Sequence, residues 1–208
     1  MKLSALLVAC SLLLSTQANA NFITNGDFQT CNFNGWSLDT DGNGEPADTS
    51  DFSIIDNAGQ CSAQISTDNL FPDGFSNTLF TQLDLSSVSD GVTVDLSFDW
   101  IFDGDDLKTD ALSDAFSVVL NDGFKLETLL FDFQSGSGTF ITQLNNSYDG
   151  YFLDFILEPG FNAQSFSSTL TIDNVSLVES TAVSAPQTPF LLALGLGVIA
   201  FRRSKLVK

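Results

Sequence analysis

The chain of 208 residues contains no histidine. This absence excludes Ser-His-Asp and Cys-His catalytic arrangements, and it excludes zinc or iron bound by histidine. A glycoside hydrolase that uses two carboxylates would need no histidine, because two acids at a set separation are sufficient. No pattern distinguishes one such pair among the 26 acidic residues. We therefore predict a protein that is not an enzyme, with the carboxylate hydrolase as the alternative.

Basic residues are also scarce, since only Lys108 and Lys125 lie between Asn21 and Ala185. All 26 acidic residues fall in the same span, so its net charge is −24. This charge repels phosphate backbones and excludes nucleic acid as a partner. It favours divalent cations, although adaptation to high salt would explain the same composition, because salt screens the repulsion between acids.

The first twenty residues have the three parts of a secretory signal peptide. They comprise Lys2, an apolar stretch, and small residues before a cleavage position between Ala20 and Asn21. Leu7 to Cys10 also fits a lipoprotein box, so lipidation of Cys10 is an alternative.

Export leaves two cysteines, Cys31 and Cys61, in an oxidising compartment, where we predict a disulfide. This bridge would close a loop of about 30 residues and, in the chain-entropy model, contribute roughly 3.5 kcal/mol. Two buried thiols are the alternative. A metal site is not expected, because two isolated cysteines without histidine are a poor ligand set.

Alternation of apolar and polar residues is the dominant local pattern. In "VTVDLSFDWIF", from Val92 to Phe102, the apolar residues share one face, which indicates a strand of an antiparallel sheet. Turn motifs such as "SDG", "NDG" and "EPG" separate the apolar segments. Many short strands at regular spacing predict an all-β antiparallel β-sandwich. The other expected strands are Phe52–Asp56, Ser62–Ser66, Leu79–Leu85, Ala115–Leu120, Phe124–Phe131, Thr139–Leu144, Tyr151–Glu158 and Thr169–Val178.

The stretch "DTDGNGEPADTSD" has oxygen-bearing side chains at every second position, as in the first half of a calcium loop. Ser50 stands where a bidentate glutamate is usual, so Asp48 or Asp51 would have to complete the coordination shell. An ordinary polar loop is the alternative. The candidate calcium ligands in this stretch are Asp39, Asp41, Asn43, Glu45 and Asp51.

Two tyrosines, Tyr148 and Tyr151, are the candidate ligand-binding residues. Amphipathic aromatic rings stack well on sugar rings, which makes a glycan the expected ligand. Trp36 offers the same chemistry, but we expect it to pack in the core.

The segment "NFITNGDFQTCNFNGWSL" resembles the opening of jelly-roll domains of the galactose-binding and carbohydrate-binding-module type. The segment "LTIDNVSLVE" resembles their last strand. The resemblance implies a jelly-roll fold and a structural calcium between Asp173 and an acid near the first strand. Gln29 occupies the place of that acid, and Asp27 is the substitute. The matching residues of the opening are Asn25, Gly26, Phe28, Gly35 and Trp36.

The C-terminal tail has an apolar run, Phe190 to Phe201, followed by the basic pair Arg202 and Arg203. As a helix the run spans roughly 18 Å, against about 30 Å for a bilayer core, so it is short for an anchor. Together with the stretch "SAP", at Ser184, Ala185 and Pro186, the tail resembles the PEP-CTERM sorting signal. That resemblance implies transient anchoring in the inner membrane and cleavage by an exosortase-type membrane protease. A permanent anchor is the alternative.

We therefore predict four segments: a signal peptide at 1–20, a β-sandwich at 21–179, a linker with the sorting motif at 180–189, and a short transmembrane helix with a basic tail at 190–208. The predicted product is a jelly-roll protein of the cell surface or extracellular matrix that binds an exopolysaccharide or other glycan with calcium support. A purely structural matrix component is the other alternative.

Overall fold

The computed structural model describes residues 21–40, 49–67, 76–104, 113–160 and 168–180. These residues form strands and connecting turns, with a single 3-10 turn at Asn146–Tyr148. The strands are β1 (Ser37–Asp39), β2 (Phe52–Asn57), β3 (Gln60–Ser66), β4 (Asn77–Gln82), β5 (Thr93–Asp103), β6 (Ala115–Asn121), β7 (Leu126–Asp132), β8 (Gly136–Asn145), β9 (Phe152–Glu158) and β10 (Thr169–Glu179).

The strands form two five-stranded sheets, in the orders β1-β4-β9-β6-β7 and β2-β3-β10-β5-β8. Every strand pair is antiparallel. Most neighbours within a sheet are distant in sequence, so the chain crosses repeatedly between the two sheets. The predicted all-β sandwich of jelly-roll type is confirmed.

The core lies between the sheets and is rich in phenylalanine. Phe98 of β5 meets Phe155 of β9 edge-on, with ring centroids 5.0 Å apart, which joins the two sheets at their centres. Period-two alternation explains this arrangement, because the inward residues of β5 are buried while their neighbours in sequence are partly exposed.

The segment before β1 packs against β10 through the glycine of "NGDF". A β-carbon on Gly26 would lie 1.9 Å from the carbonyl oxygen of Val175, so only glycine fits there. The backbone N–H of Val175 donates to the carbonyl oxygen of Gly26 at 2.8 Å. Trp36 is buried, as expected, with its ring 5.2 Å from Phe28 and 5.9 Å from Phe155.

One strand was missed and several predicted strand ends were wrong; β8, for example, begins at Gly136 instead of Thr139. β1 was not predicted, because three residues are too few to show alternation. β4 ends at Gln82 instead of Leu85, because the backbone of Leu83 bonds to Tyr151 outside the regular ladder. β7 begins at Leu126 instead of Phe124, because the Asp122 carboxylate accepts both Phe124 N–H and Lys125 N–H in a tight turn.

Several predicted features lie outside the described residues. These are the signal peptide up to Ala20, the sorting motif Ser184-Ala185-Pro186, the apolar run Phe190–Phe201 and the pair Arg202-Arg203. The part of the chain that the structure describes contains no helix with the length and hydropathy needed to cross a membrane.

Candidate functional site

The outward side of the first sheet, which we call the front face, combines apolar and polar side chains. Paired residues of adjacent strands point to the same side of a sheet. The register therefore aligns Phe80, Asp154 and Val119 in one row, and Phe152 and Asn121 in the next. The front face also includes Asp39, Thr78, Gln82, Ser117, Leu126, Phe131 and Ile156.

Aromatic and aliphatic side chains are accessible on the front face. The rings of Phe80 and Phe152 are partly exposed and meet edge-on, with centroids 5.7 Å apart. Leu126 is 61% exposed and Phe131 is 51% exposed. Accessible apolar side chains grouped on one face are typical of a binding surface.

The outward side of the second sheet, the back face, differs in composition. Hydroxyl, carboxylate and amide groups dominate it and bond to one another. Thr139 donates to Asp99 at 2.5 Å, and Gln143 donates to Asp95 at 3.0 Å. Ile101 and Ile141 are its exposed apolar residues, at 56% and 69%. The back face therefore satisfies its own polar groups and has no aromatic pair among the described residues.

Asp154 lies at the centre of the front face and is only 6% exposed. The amide of Asn121 donates to its Oδ2 at 3.0 Å, whereas Oδ1 is buried without a hydrogen-bond partner. Burial raises the pKa of the Asp154 carboxyl; the Asn121 hydrogen bond opposes this shift, and the negative charge of Asp39 adds to it. Leaving a buried oxygen unpaired costs about 1–3 kcal/mol.

The two predicted ligand-binding tyrosines lie together at the end of the sandwich that holds the β6–β7 turn and the start of β9. Their rings meet edge-on with centroids 5.3 Å apart and pack partly against the core. The Tyr148 hydroxyl donates to Glu127 Oε1 at 3.1 Å, and the Tyr151 hydroxyl bonds to Asp122. Burial and these acids raise the pKa of both tyrosines. Their role in glycan binding stays a prediction.

The predicted disulfide between Cys31 and Cys61 is confirmed, with a Cα–Cα distance of 5.4 Å. It joins the segment before β1 to the start of β3. The bridge therefore encloses the stretch with the candidate calcium ligands, as expected from the sequence.

Only the two ends of the candidate calcium loop lie in the described residues. Asp39 is the last residue of β1 and is 8% exposed on the front face. Asp51 precedes β2, and its Oδ2 accepts from the amide of Asn77 at 3.0 Å. The other candidate ligands, Asp41, Asn43 and Glu45, lie outside the described residues.

The charges of Asp27 and Asp99 act on Asp173, the second candidate calcium position, and calcium binding there stays a prediction. Burial raises the pKa of the Asp173 carboxyl, and the charges of Asp99 and Asp27 add to the shift. Asp173 Oδ1 already accepts from the Asn174 N–H at 2.7 Å, and Asp99 Oδ2 accepts from the Asn174 amide at 2.8 Å. No group of three or more metal-binding side chains with suitable geometry occurs within the described ranges.

Asn21, the predicted first residue after signal cleavage, is fixed to β10 by its side chain. Its Oδ1 accepts from the N–H groups of Ile23 at 3.1 Å and Leu177 at 2.9 Å, and its Nδ2 donates to the carbonyl oxygen of Val175 at 3.4 Å. A cavity of about 430 Å³ lies beside it, between the N-terminal segment and β10. The sandwich therefore includes the chain from Asn21 onward.

Apart from Asp39, which was predicted as a calcium ligand, the front-face residues were missed by sequence reasoning. β6 and β9 are apolar on both sides, in "AFSVVL" and "FLDFIL", so alternation did not separate an inner from an outer face. The one available signal was Asp154, an acid inside the apolar run "FLDFIL".

No protein family model matches the chain, and no curated protein matches it. Solved structures with a similar fold include several carbohydrate-binding modules, and also an exo-beta-agarase and the enzymatically active domain of a bacteriophage CBA120 tailspike protein. TmCBM61 in complex with beta-1,4-galactotriose is 14% identical, with a TM-score of 0.49, over 77% of this chain and 99% of that one. A family 16 carbohydrate-binding module is 13% identical, with a TM-score of 0.45, over 76% and 100% of the two chains. The CBM22-1 xylan-binding domain of Paenibacillus barcinonensis Xyn10C is 15% identical, with a TM-score of 0.39, over 81% and 100%. These similarities are too distant to assign a family or a ligand to this chain.

Proposed function

We propose that the protein is an exported, non-enzymatic β-sandwich that binds a glycan on its front face. The observation that carries this proposal is the pairing of accessible Phe80 and Phe152 rings with the polar groups of Asp154 and Asn121 on one sheet. Aromatic rings cover the apolar faces of sugars, and carboxylate and amide groups bond to hydroxyls. The back face has no comparable combination among the described residues.

The two ends of the chain support export and sorting in this proposal. Cleavage after Ala20 would release a chain whose first residue, Asn21, is already bonded to β10. The disulfide is consistent with an oxidising compartment. The tail from Phe190 to Phe201 would hold the protein at the inner membrane until an exosortase-type protease cuts near Pro186. The product would then reach the cell surface or extracellular matrix.

Calcium is part of the proposal through the loop between Asp39 and Asp51. If bound there, the ion would neutralise part of the acidic charge next to the front face and fix the loop that the disulfide encloses. The residues that would hold it are Asp39, Asp41, Asn43, Glu45 and Asp51.

A binding assay on a panel of polysaccharides tests the proposed function. Phe80→Ala and Phe152→Ala should each weaken binding about tenfold, because each removes one ring from the sugar contact. Ile141→Ala is the matched control, since it removes an exposed apolar side chain from the back face. Equal binding by all three variants would reject the front face as the site. Turnover of a bound polysaccharide would favour the carboxylate hydrolase.

A further inference from the structure

Two buried carboxylates of the sandwich differ in how far the fold satisfies them. Asp114 is 8% exposed, and both of its oxygens have partners: the Gly160 N–H at 2.6 Å and the Thr67 hydroxyl at 3.4 Å. Asp154 is similarly buried, but its Oδ1 has no hydrogen-bond partner. Asp114 is therefore explained by the structure of the domain, whereas Asp154 retains an unused acceptor and an uncompensated charge.

Among the described residues, the side chains around Asp154 add negative charge and no positive charge. Asp39 lies on the same face and raises the pKa of the Asp154 carboxyl, although burial is the larger cause. Lys125 is the only cationic side chain among the described residues, and it lies exposed in the β6–β7 turn. A glycan with carboxylate or sulfate groups would be repelled at this face.

Asp154 lacks a hydrogen-bond donor for Oδ1 and a positive charge, and a neutral sugar would supply only the donor. A hydroxyl donates a hydrogen bond to Oδ1 but leaves the negative charge uncompensated. An ammonium group supplies the hydrogen bond and the opposite charge together, and hydrogen bonds between charged groups are the stronger ones. The faces of Phe80 and Phe152 also attract a cation, in addition to covering the sugar ring.

We propose that the glycan bound at the front face carries free amino groups, and that Asp154 binds one of them as an ammonium ion. This inference rests on the proposed function, because it names the ligand class of the same face. Oδ1 is itself buried, and Phe80 on β4 and Val119 on β6 are the cross-strand neighbours of Asp154, so side chains must move for a ligand to reach this oxygen.

The test compares glucosamine oligomers with N-acetylglucosamine oligomers of the same length and linkage, at a pH where the amines are protonated. Isothermal titration with the protein in its exported form, and with a chelator present so that no calcium compensates the charge of Asp39, should give about tenfold or greater preference for the free amine. Asp154→Asn should remove this preference, because it deletes the charge and keeps the shape. Asp39→Asn, a second variant on the same face, should weaken it.

Asp95→Asn on the back face is the matched control, since it deletes one charge from a residue bonded to Gln143 and Ser180. The preference should survive in this variant. Equal affinity for the two oligomers overturns the inference, and so does an equal loss in the Asp154 and Asp95 variants, which would indicate general attraction of a polycation to an acidic protein. Failure of the proposed function is distinguishable: no glycan of any charge would bind, and Phe80→Ala would change nothing.

Discussion

The amide of Asn121 donates to Oδ2 of Asp154 at 3.0 Å, and the other oxygen of that carboxylate is buried without a partner. The two residues lie on adjacent strands, β6 and β9, at the centre of the front face. The sandwich thus keeps a costly group at the position that we propose binds the ligand. Functional sites commonly retain such groups at the expense of stability.

Asp154→Asn should stabilise the protein by about 1 kcal/mol at neutral pH, because a neutral amide avoids the cost of burying a charge. Because burial raises the pKa of Asp154 in the folded state above its unfolded value, the native protein binds more protons between the two values. Stability should therefore fall as pH rises through the folded pKa. Denaturant unfolding over a pH series measures this slope.

The free energy of unfolding of the Asp154→Asn protein should fall less with rising pH than that of the natural protein over the same pH range. Asp114→Asn serves as the comparison, because the carboxylate of Asp114 has partners on both oxygens. A destabilised Asp154→Asn protein would contradict the account of Asp154 as an unsatisfied charge.

Gly26→Ala should destabilise the fold by about 2–3 kcal/mol, since the added β-carbon would lie 1.9 Å from a backbone oxygen of β10 that cannot move aside cheaply. Gly136→Ala is the control, because its β-carbon would meet Trp100 Cη2 at 3.5 Å, an ordinary contact. Chemical denaturation measures both variants. Equal stability of the two would show that the segment before β1 does not dock as described.

Calcium at millimolar concentration should raise the melting temperature by several degrees relative to a chelator, if binding is linked to folding. Asp41→Asn should reduce the shift, because it removes one charged ligand of the loop from Asp39 to Asp51. Magnesium at the same concentration is the control for screening of the acidic charge. An identical effect of the two ions, or no effect of either, would contradict specific calcium binding and favour the alternative, an ordinary polar loop.

Intact mass of the protein from the envelope and medium of its native host tests the predicted processing. The mass should match a chain that starts at Asn21 and ends near Ser184 to Pro186. A mass that retains Phe190 to Lys208 would make the tail a permanent anchor and direct the search for partners to the membrane.

The sandwich and the disulfide could be predicted from the sequence because both follow from local or pairwise rules. β5 alternates cleanly, with Val94 and Phe98 inward and Asp95 outward, and the two cysteines that follow the predicted signal peptide have one pairing. The front face could not be predicted, since it depends on register across five strands. Phe80 and Phe152 are 72 residues apart in sequence, and only the pairing of β4 with β9 brings their rings together.

Backbone amide shifts of the labelled protein during titration with a bound oligosaccharide test the central claim, that the glycan binds the front face. The account predicts perturbations concentrated at Phe80, Asn121, Phe152 and Asp154, with the back-face residues Asp95 and Ile141 unchanged. Perturbations concentrated on the back face or at Tyr148 and Tyr151, with unchanged shifts on the front face, would contradict binding of the glycan at the front face.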